Sequence, residues 1–338
     1  MLDPLLRLAA NFAAPGAEGA RLTTLMYHRV LAEPDPMRPD DITAQTFARQ
    51  ARLMARLFNV LPVDEALEKL ASDRLPRRSL CITFDDGYRD NAELAYPILQ
   101  REGLCATFFV TSGVLGDGLM FNDTAVEVVR RLPTGKQDLR WLGLGRPALN
   151  GPASRARLAE KVTQRLKYLA PAQRDAACER LVASVGGGLP TNLMMTPEQV
   201  SQLARAGQII GGHTVDHTIL TSLEDDQARR QIESNRDDLT ALQGSAPLFF
   251  AYPNGRPGKD YTPSHAQMVR EAGYQAAFCT AWGQLSSHDD PYHLRRCGTI
   301  DVSAGRFIAR LMLHGRREQA PRPHGAAHRQ PSPLQQRP

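Results

Sequence analysis

Thr83-Phe84-Asp85-Asp86-Gly87 closes the apolar run Ser79-Leu80-Cys81-Ile82 and opens onto Tyr88-Arg89-Asp90-Asn91. A β-branched and aromatic run bounded by glycine predicts a buried strand, and aspartate is poorly suited to a strand interior. The two carboxylates therefore mark the strand's end. In α/β proteins the ends of parallel strands are where loops converge over a rigid sheet and where ligands sit. The residues alone leave two readings open. In one, an aspartate caps the helix that begins near Asn91 and its neighbour faces solvent. In the other, the adjacent side chains diverge, so that one binds a metal while the other works on water.

On either side of this strand the chain alternates strands and helices. A first strand is predicted from Arg21 to Tyr27, with His28 at its end. An amphipathic helix follows from Phe47 to Phe58, with Phe47, Ala51, Met54, Ala55 and Phe58 on its apolar face. A helix from about Asn91 to Arg101 and a strand from Cys105 to Val110 then complete a strand-helix-strand unit, which must be parallel. Between Phe121 and about Leu189, helical stretches broken by prolines and glycines predict an inserted helical segment, about 121–190.

The rhythm resumes at Thr196-Pro197-Glu198-Gln199, a cap, a first-turn proline and a capping box. Strands are predicted at Gln208 to Gly212, Leu248 to Ala251 and Tyr274 to Cys279, and a charged helix at Asp225 to Gln243. Repeated strand-loop-helix units predict an α/β fold, a distorted and incomplete (β/α) barrel spanning 21–314. Residues 1–20 form a leading segment, and the basic, Pro- and Gln-rich stretch 315–338 is expected to be a disordered tail.

The net charge of +5 over 338 residues is concentrated in that tail, where Arg316, Arg317, Arg322, Arg329 and Arg337 face Glu318 alone. The body is nearly neutral, which argues against a nucleic-acid partner. Five cysteines without a C-x-x-C pair read as reduced thiols. No signal-peptide pattern and no membrane-spanning run is seen, so the expected location is cytoplasmic; Leu2, Leu5, Leu6 and Phe12 could give peripheral membrane contact.

His213 and His217 stand four residues apart at another predicted strand end, after Gly211-Gly212. Both imidazoles can face one side if the backbone turns helically there. Two histidines and one aspartate leave an open coordination position, the composition of a catalytic Zn²⁺ or Co²⁺ site. The same ligands describe a non-haem iron oxygenase, but the His-x-Asp spacing of those enzymes is lacking.

Thr83-Phe84-Asp85-Asp86-Gly87, His213-Thr214-Val215-Asp216-His217 and Phe250-Ala251-Tyr252-Pro253-Asn254-Gly255, in this order, resemble the motifs of the polysaccharide deacetylases with a NodB-homology domain, carbohydrate esterase family 4. The resemblance covers roughly Leu22 to Asp301. It implies a distorted (β/α) barrel and metal-dependent removal of N-acetyl groups from an acetylated oligo- or polysaccharide. By motif position it implies Asp85 as general base, Asp86, His213 and His217 as metal ligands, and Thr214 as a brace for the loop between the histidines. The third motif places an oxyanion donor near Asn254, with Tyr252 beside it.

Two departures stand out. Ala251 occupies the place of an arginine that orients the base, and Asn254 that of an aromatic residue. Arg295 or Arg296 could replace the missing arginine. The family's late proton-donating histidine has no clear counterpart among His314, His265, His293 and His28, the last of which closes the first strand. Hydrolysis of another amide or of an O-acetyl ester, or carbohydrate binding without turnover, are the competing readings.

Overall fold

The computed structural model describes residues 19–298 and 303–314; the leading segment and the tail, with the surface-seeking helix and the disorder expected of them, lie outside these. Twelve strands occur among the described residues: β1 (Thr23–Tyr27), β2 (Val30–Leu31), β3 (Ile42–Thr43), β4 (Asn59–Val60), β5 (Ser79–Phe84), β6 (Thr107–Val110), β7 (Gly135–Lys136), β8 (Ala148–Leu149), β9 (Ile209–Gly212), β10 (Phe249–Ala251), β11 (Ala276–Phe278) and β12 (Cys297–Gly298). The main sheet runs β11-β10-β9-β6-β5-β1-β12, with β4 beside the start of β5. All of its pairings are parallel. A parallel bridge from Phe278 to Leu294, three residues before β12, joins the two edges of the sheet. The result is a distorted (β/α) barrel whose circle closes through a single bridge.

Side-chain alternation assigns the two faces. Leu25, Tyr27, Leu80, Ile82, Phe84, Phe108 and Val110 cluster outward with Phe47, Ala51 and Met54 of helix Ala44–Leu57. Ala55, predicted on that helix's apolar face, is exposed, and Leu57 is buried in its stead. The intervening residues Cys81, Phe109, Phe249, Ala251, Ala276 and Phe278 form a second cluster on the inner face, joined by Leu67 and Leu70 of helix Val63–Ala71. Period-two burial of this kind on both faces is what a helix-covered parallel strand requires. Thr83 and Asp85 continue the inner row of β5, so Asp85 emerges at the barrel's C-terminal mouth.

Helices Phe121–Arg131, Pro152–Leu166 and Pro171–Ala183, with the hairpin β7–β8, occupy the stretch read as an inserted helical segment. They enclose a hydrophobic cluster of their own, including Val128, Leu158, Val162, Leu166 and Leu181. The predicted capping box of Thr196 and Gln199 is present at helix Pro197–Arg205. No helix among the described residues is long and apolar enough to cross a membrane. Cys81, Cys279 and Cys297 are buried and Cys105 and Cys178 partly so, all as free thiols.

Candidate active site

The site is made where β1, β5, β9 and β10 end, with Arg296, the residue just before β12, reaching into it. The ladder between β1 and β5 runs one residue past the strand, Asp85 N–H donating to the Tyr27 carbonyl at 2.9 Å. Asp86 then takes a left-handed conformation, φ 78°, and Gly87 follows at φ 89°. This turn is what separates the two carboxylates. Six non-glycine residues among those described have positive φ, and four of them, Asp86, Thr214, His217 and Asn254, belong to the three motifs. For a β-branched residue such as Thr214 this is a costly conformation, on the order of 1–3 kcal/mol. Strain concentrated here and held by the surroundings is typical of a site whose geometry matters more than its local stability.

Asp86 faces the two histidines. Its Oδ1 lies 3.3 Å from His213 Nε2 and 3.2 Å from His217 Nε2. All three residues are buried, yet Asp86 Oδ1 has no partner in hydrogen-bonding geometry. One ligand atom from each lies within 4.8 Å of the others. His213 Nδ1 is 2.7 Å from the Ala251 carbonyl, which can only accept, so Nδ1 carries a proton and Nε2 is the ring nitrogen turned toward Asp86. Burial alone would raise the Asp86 carboxyl, but the two imidazoles beside it, His217 foremost, more than offset this and hold it well below the ordinary carboxylate range. A carboxylate oxygen and two imidazole nitrogens converging on one point form a set that fits a divalent cation with an open position.

Asp85 turns the other way, toward Arg296. The guanidinium donates from Nη1 to Oδ1 at 2.6 Å and from Nη2 to Oδ2 at 2.7 Å. It also donates from Nη1 to Thr83 Oγ1 at 3.1 Å and from Nε to the Cys279 carbonyl at 3.2 Å. Arg296 is fully buried, its charge resting 5.5 Å from the ring of Phe109 and 5.9 Å from that of Phe278. Burial pushes the Asp85 carboxyl up and Arg296 more than offsets this, so its pKa lies below the usual value. On the remaining side His28 Nε2 stands 4.0 Å from Asp85 Oδ2, its side chain 44% exposed.

The histidine loop is not a helical turn, as its spacing suggested. It is held by helix Asp225–Gln243. Asn235, fully buried, accepts from His213 N–H at 2.9 Å and donates to the carbonyls of Val110 and Thr214, 3.1 and 2.8 Å, and to Ser112 Oγ at 3.0 Å. Gln231 accepts from Val215 and Asp216 N–H at 3.0 and 3.1 Å. The Thr214 hydroxyl, expected to brace the loop, makes no hydrogen bond; its carbonyl does that work. Gly212 is required because a Cβ there would overlap Tyr274 and Asn235. Asn235→Ala is expected to destabilise the fold by roughly 2–3 kcal/mol, from the buried groups left unpaired, as read by denaturant unfolding. Calorimetric titration with Zn²⁺ should show about 10- to 100-fold weaker binding.

The helical segment reaches this loop as well. Phe121 lies 6.2 Å from the His217 ring, and the buried Arg174 sits 5.2 Å over Phe121 while donating to Thr218 Oγ1 at 3.1 Å.

Tyr252 does not face the site. Its ring stacks on Tyr261 at 3.7 Å in the outer layer, its hydroxyl donates to the Tyr292 carbonyl at 3.1 Å, and its N–H extends the ladder to Phe278 at 3.0 Å. Period-two alternation explains this, since Ala251 occupies the inner position and Tyr252 must turn outward. Asn254 does sit at the β10 exit, its carbonyl accepting from Thr280 Oγ1 at 2.7 Å and its Nδ2 buried without a partner. Arg295 binds Asp289 at 2.6 Å, His265 caps its own helix through Thr262, and His293 pairs with Tyr261. Among the candidates whose side chains are described, Arg296 and His28 reach Asp85, and the side chain of His314 lies outside them.

The sequence profile of the polysaccharide deacetylases matches residues 72–140 and 154–277, more than half of the chain. YxkH of Bacillus subtilis, classed among the polysaccharide deacetylases, is 22% identical over 287 residues, 85% of this chain and 73% of its own. The Streptococcus pyogenes deacetylase PplD, solved in complex with acetate, superposes with a TM-score of 0.58 at 18% identity, over 87% of this chain and 98% of that one. IcaB from Ammonifex degensii does so at 0.53 and 17%, over 88% and 97%. A parallel barrel with paired aspartates and two histidines converging at its C-terminal mouth, matched along most of its length by that profile, places this chain in the polysaccharide deacetylase family.

Proposed function

We propose that the protein is a metal-dependent hydrolase removing N-acetyl groups from an acetylated oligo- or polysaccharide, with Asp85 as general base and Asp86, His213 and His217 as metal ligands. One observation supports this above the others: adjacent aspartates are divided between two partners, Asp86 facing both imidazoles and Asp85 held by Arg296. A divalent ion at the three ligands, Zn²⁺ or another first-row metal such as Co²⁺, would lower the pKa of water and polarise the acetamide carbonyl.

The remaining steps belong to side chains of this protein. Asp85, kept ionised by Arg296, accepts the proton of the attacking water. Arg296, the residue just before β12, takes the part of the arginine absent at position 251. Donors of the Asn254 turn meet the carbonyl oxygen as it becomes anionic, where a fixed N–H is worth more than in water. His28 gives a proton to the nitrogen as the C–N bond breaks, so that it departs as a neutral amine. Acetate and an amino sugar are the products.

Incubation of the Zn²⁺-loaded protein with N-acetylglucosamine oligomers should release acetate and primary amine in equal amounts. Acetate from O-acetylated sugars alone, or none from either, would contradict the N-deacetylase reading.

A further inference from the structure

Two consecutive buried side chains just past the aspartate turn hold the loop that carries His28. Asn91 Nδ2 donates to the His28 carbonyl at 2.8 Å. Asp90 Oδ1 accepts from Val30 N–H at 3.1 Å, and Oδ2 accepts from Arg29, 2.8 Å from Nε and 2.7 Å from Nη2. The two clamp residues are themselves linked, Asn91 Nδ2 to Asp90 Oδ1, at 3.1 Å. Three successive residues, His28, Arg29 and Val30, are therefore each fixed by this pair. Asn91 is fully buried and Asp90 is 9% exposed.

Neither side chain serves the helix it introduces. Asp90 makes no cap bond there, and the chain goes on through a π turn, Asn91–Ala95, an irregularity often found at functional sites. The clamp is backed in turn, since Arg29 lies 4.6 Å over the Tyr88 ring and the Tyr88 hydroxyl donates to Asp123 at 3.1 Å. Among the described residues no side chain hydrogen-bonds the His28 imidazole, which is half in solvent and 4.0 Å from Asp85. Its aim is set by its backbone, and its backbone is set by Asp90 and Asn91.

We propose that Asp90 and Asn91 are positioning residues for His28, and that proton delivery to the leaving nitrogen depends on their grip on the β1 exit. The inference rests on the reading of His28 as proton donor. An amine must be protonated to leave, whereas an activated phenol leaves as its anion. Loss of aim should therefore be felt on an acetamide and not on an aryl acetate.

The test compares kcat and KM of wild type, Asn91→Ala, His28→Ala and the double variant, all Zn²⁺-loaded, on N-acetylglucosamine oligomers and on p-nitrophenyl acetate. Asn91→Ala is expected to lower kcat on the oligomers by about 10- to 100-fold at unchanged KM, the scale of a misplacement near 1 Å. It should leave the aryl ester rate within twofold and add nothing to His28→Ala. Equal losses on both substrates, or full additivity with His28→Ala, would overturn the clamp and leave a structural role. Unchanged oligomer turnover in His28→Ala would instead overturn the proton-donor reading on which it rests. Should Asn91→Ala not fold, Asp90→Asn, which keeps the shape and removes the anion that faces Arg29, is judged by the same criteria.

Discussion

Asp85→Asn is expected to lower kcat for deacetylation by about 10²- to 10⁴-fold, with bound metal unchanged at one ion per chain. The amide has nearly the volume of the carboxylate and keeps one acceptor, but it cannot take a proton from water. Asp86 and the two imidazoles are untouched by the change, because the two aspartates point to different partners. The variant also leaves the Arg296 charge buried without its anion, so it will be less stable, and its kinetics belong well below its melting temperature. A paired replacement, Asp85→Asn with Arg296→Met, separates the two effects. It removes both members of the buried ion pair and should recover stability without recovering activity. Activity within tenfold of wild type in Asp85→Asn would remove the base from the mechanism.

Arg296→Met is expected to cost about 3–5 kcal/mol at neutral pH, the price of an uncompensated buried carboxylate. The wild-type pair lowers the folded pKa of Asp85. Its contribution to stability is therefore complete above the unfolded carboxylate value, about 3.9, and is lost as pH falls through the lower folded value. In the variant, burial without Arg296 raises the same carboxyl, so the deficit against wild type shrinks on acidification. Urea unfolding at a series of pH values measures this directly, and a deficit constant between neutral and acid pH would refute it. Activity should follow the same carboxyl, with the acidic limb of the rate profile moved to higher pH. Arg296→Lys should rescue only in part, because an ammonium cannot make the two parallel bonds that orient the carboxylate.

Those two residues show how far the sequence could be read. Asp85, Asp86, His213 and His217 were legible because each stands where an apolar strand stops, and a strand end is a local pattern. The barrel was legible for the same reason, as alternating periods of two and 3.6 appear within windows of a dozen residues. Arg296 is 211 residues from its partner, and nothing local distinguishes it from Arg295. What distinguishes them is phase: Cys297 faces outward, so Arg296 must face in, and a short strand of two residues gives too little pattern to fix that phase. Asn235 was missed because an asparagine within a charged helix reads as a solvated face. Tyr252 was misplaced by motif position, although the alternation that buries Ala251 inward already turned it outward. The left-handed turns at Asp86, Thr214, His217 and Asn254 were invisible, since none is a glycine.

The claim on which the rest depends is that Asp86, His213 and His217 hold a catalytic ion. Chelator-stripped protein titrated with Zn²⁺, with acetate release from N-acetylglucosamine oligomers followed at each addition, tests it in one experiment. Activity should be absent from the stripped protein and rise to a plateau at one ion per chain in the wild type, while His213→Ala should fail to bind the ion at the same concentrations. Full turnover by stripped protein, or unaltered ion binding in His213→Ala, would contradict it.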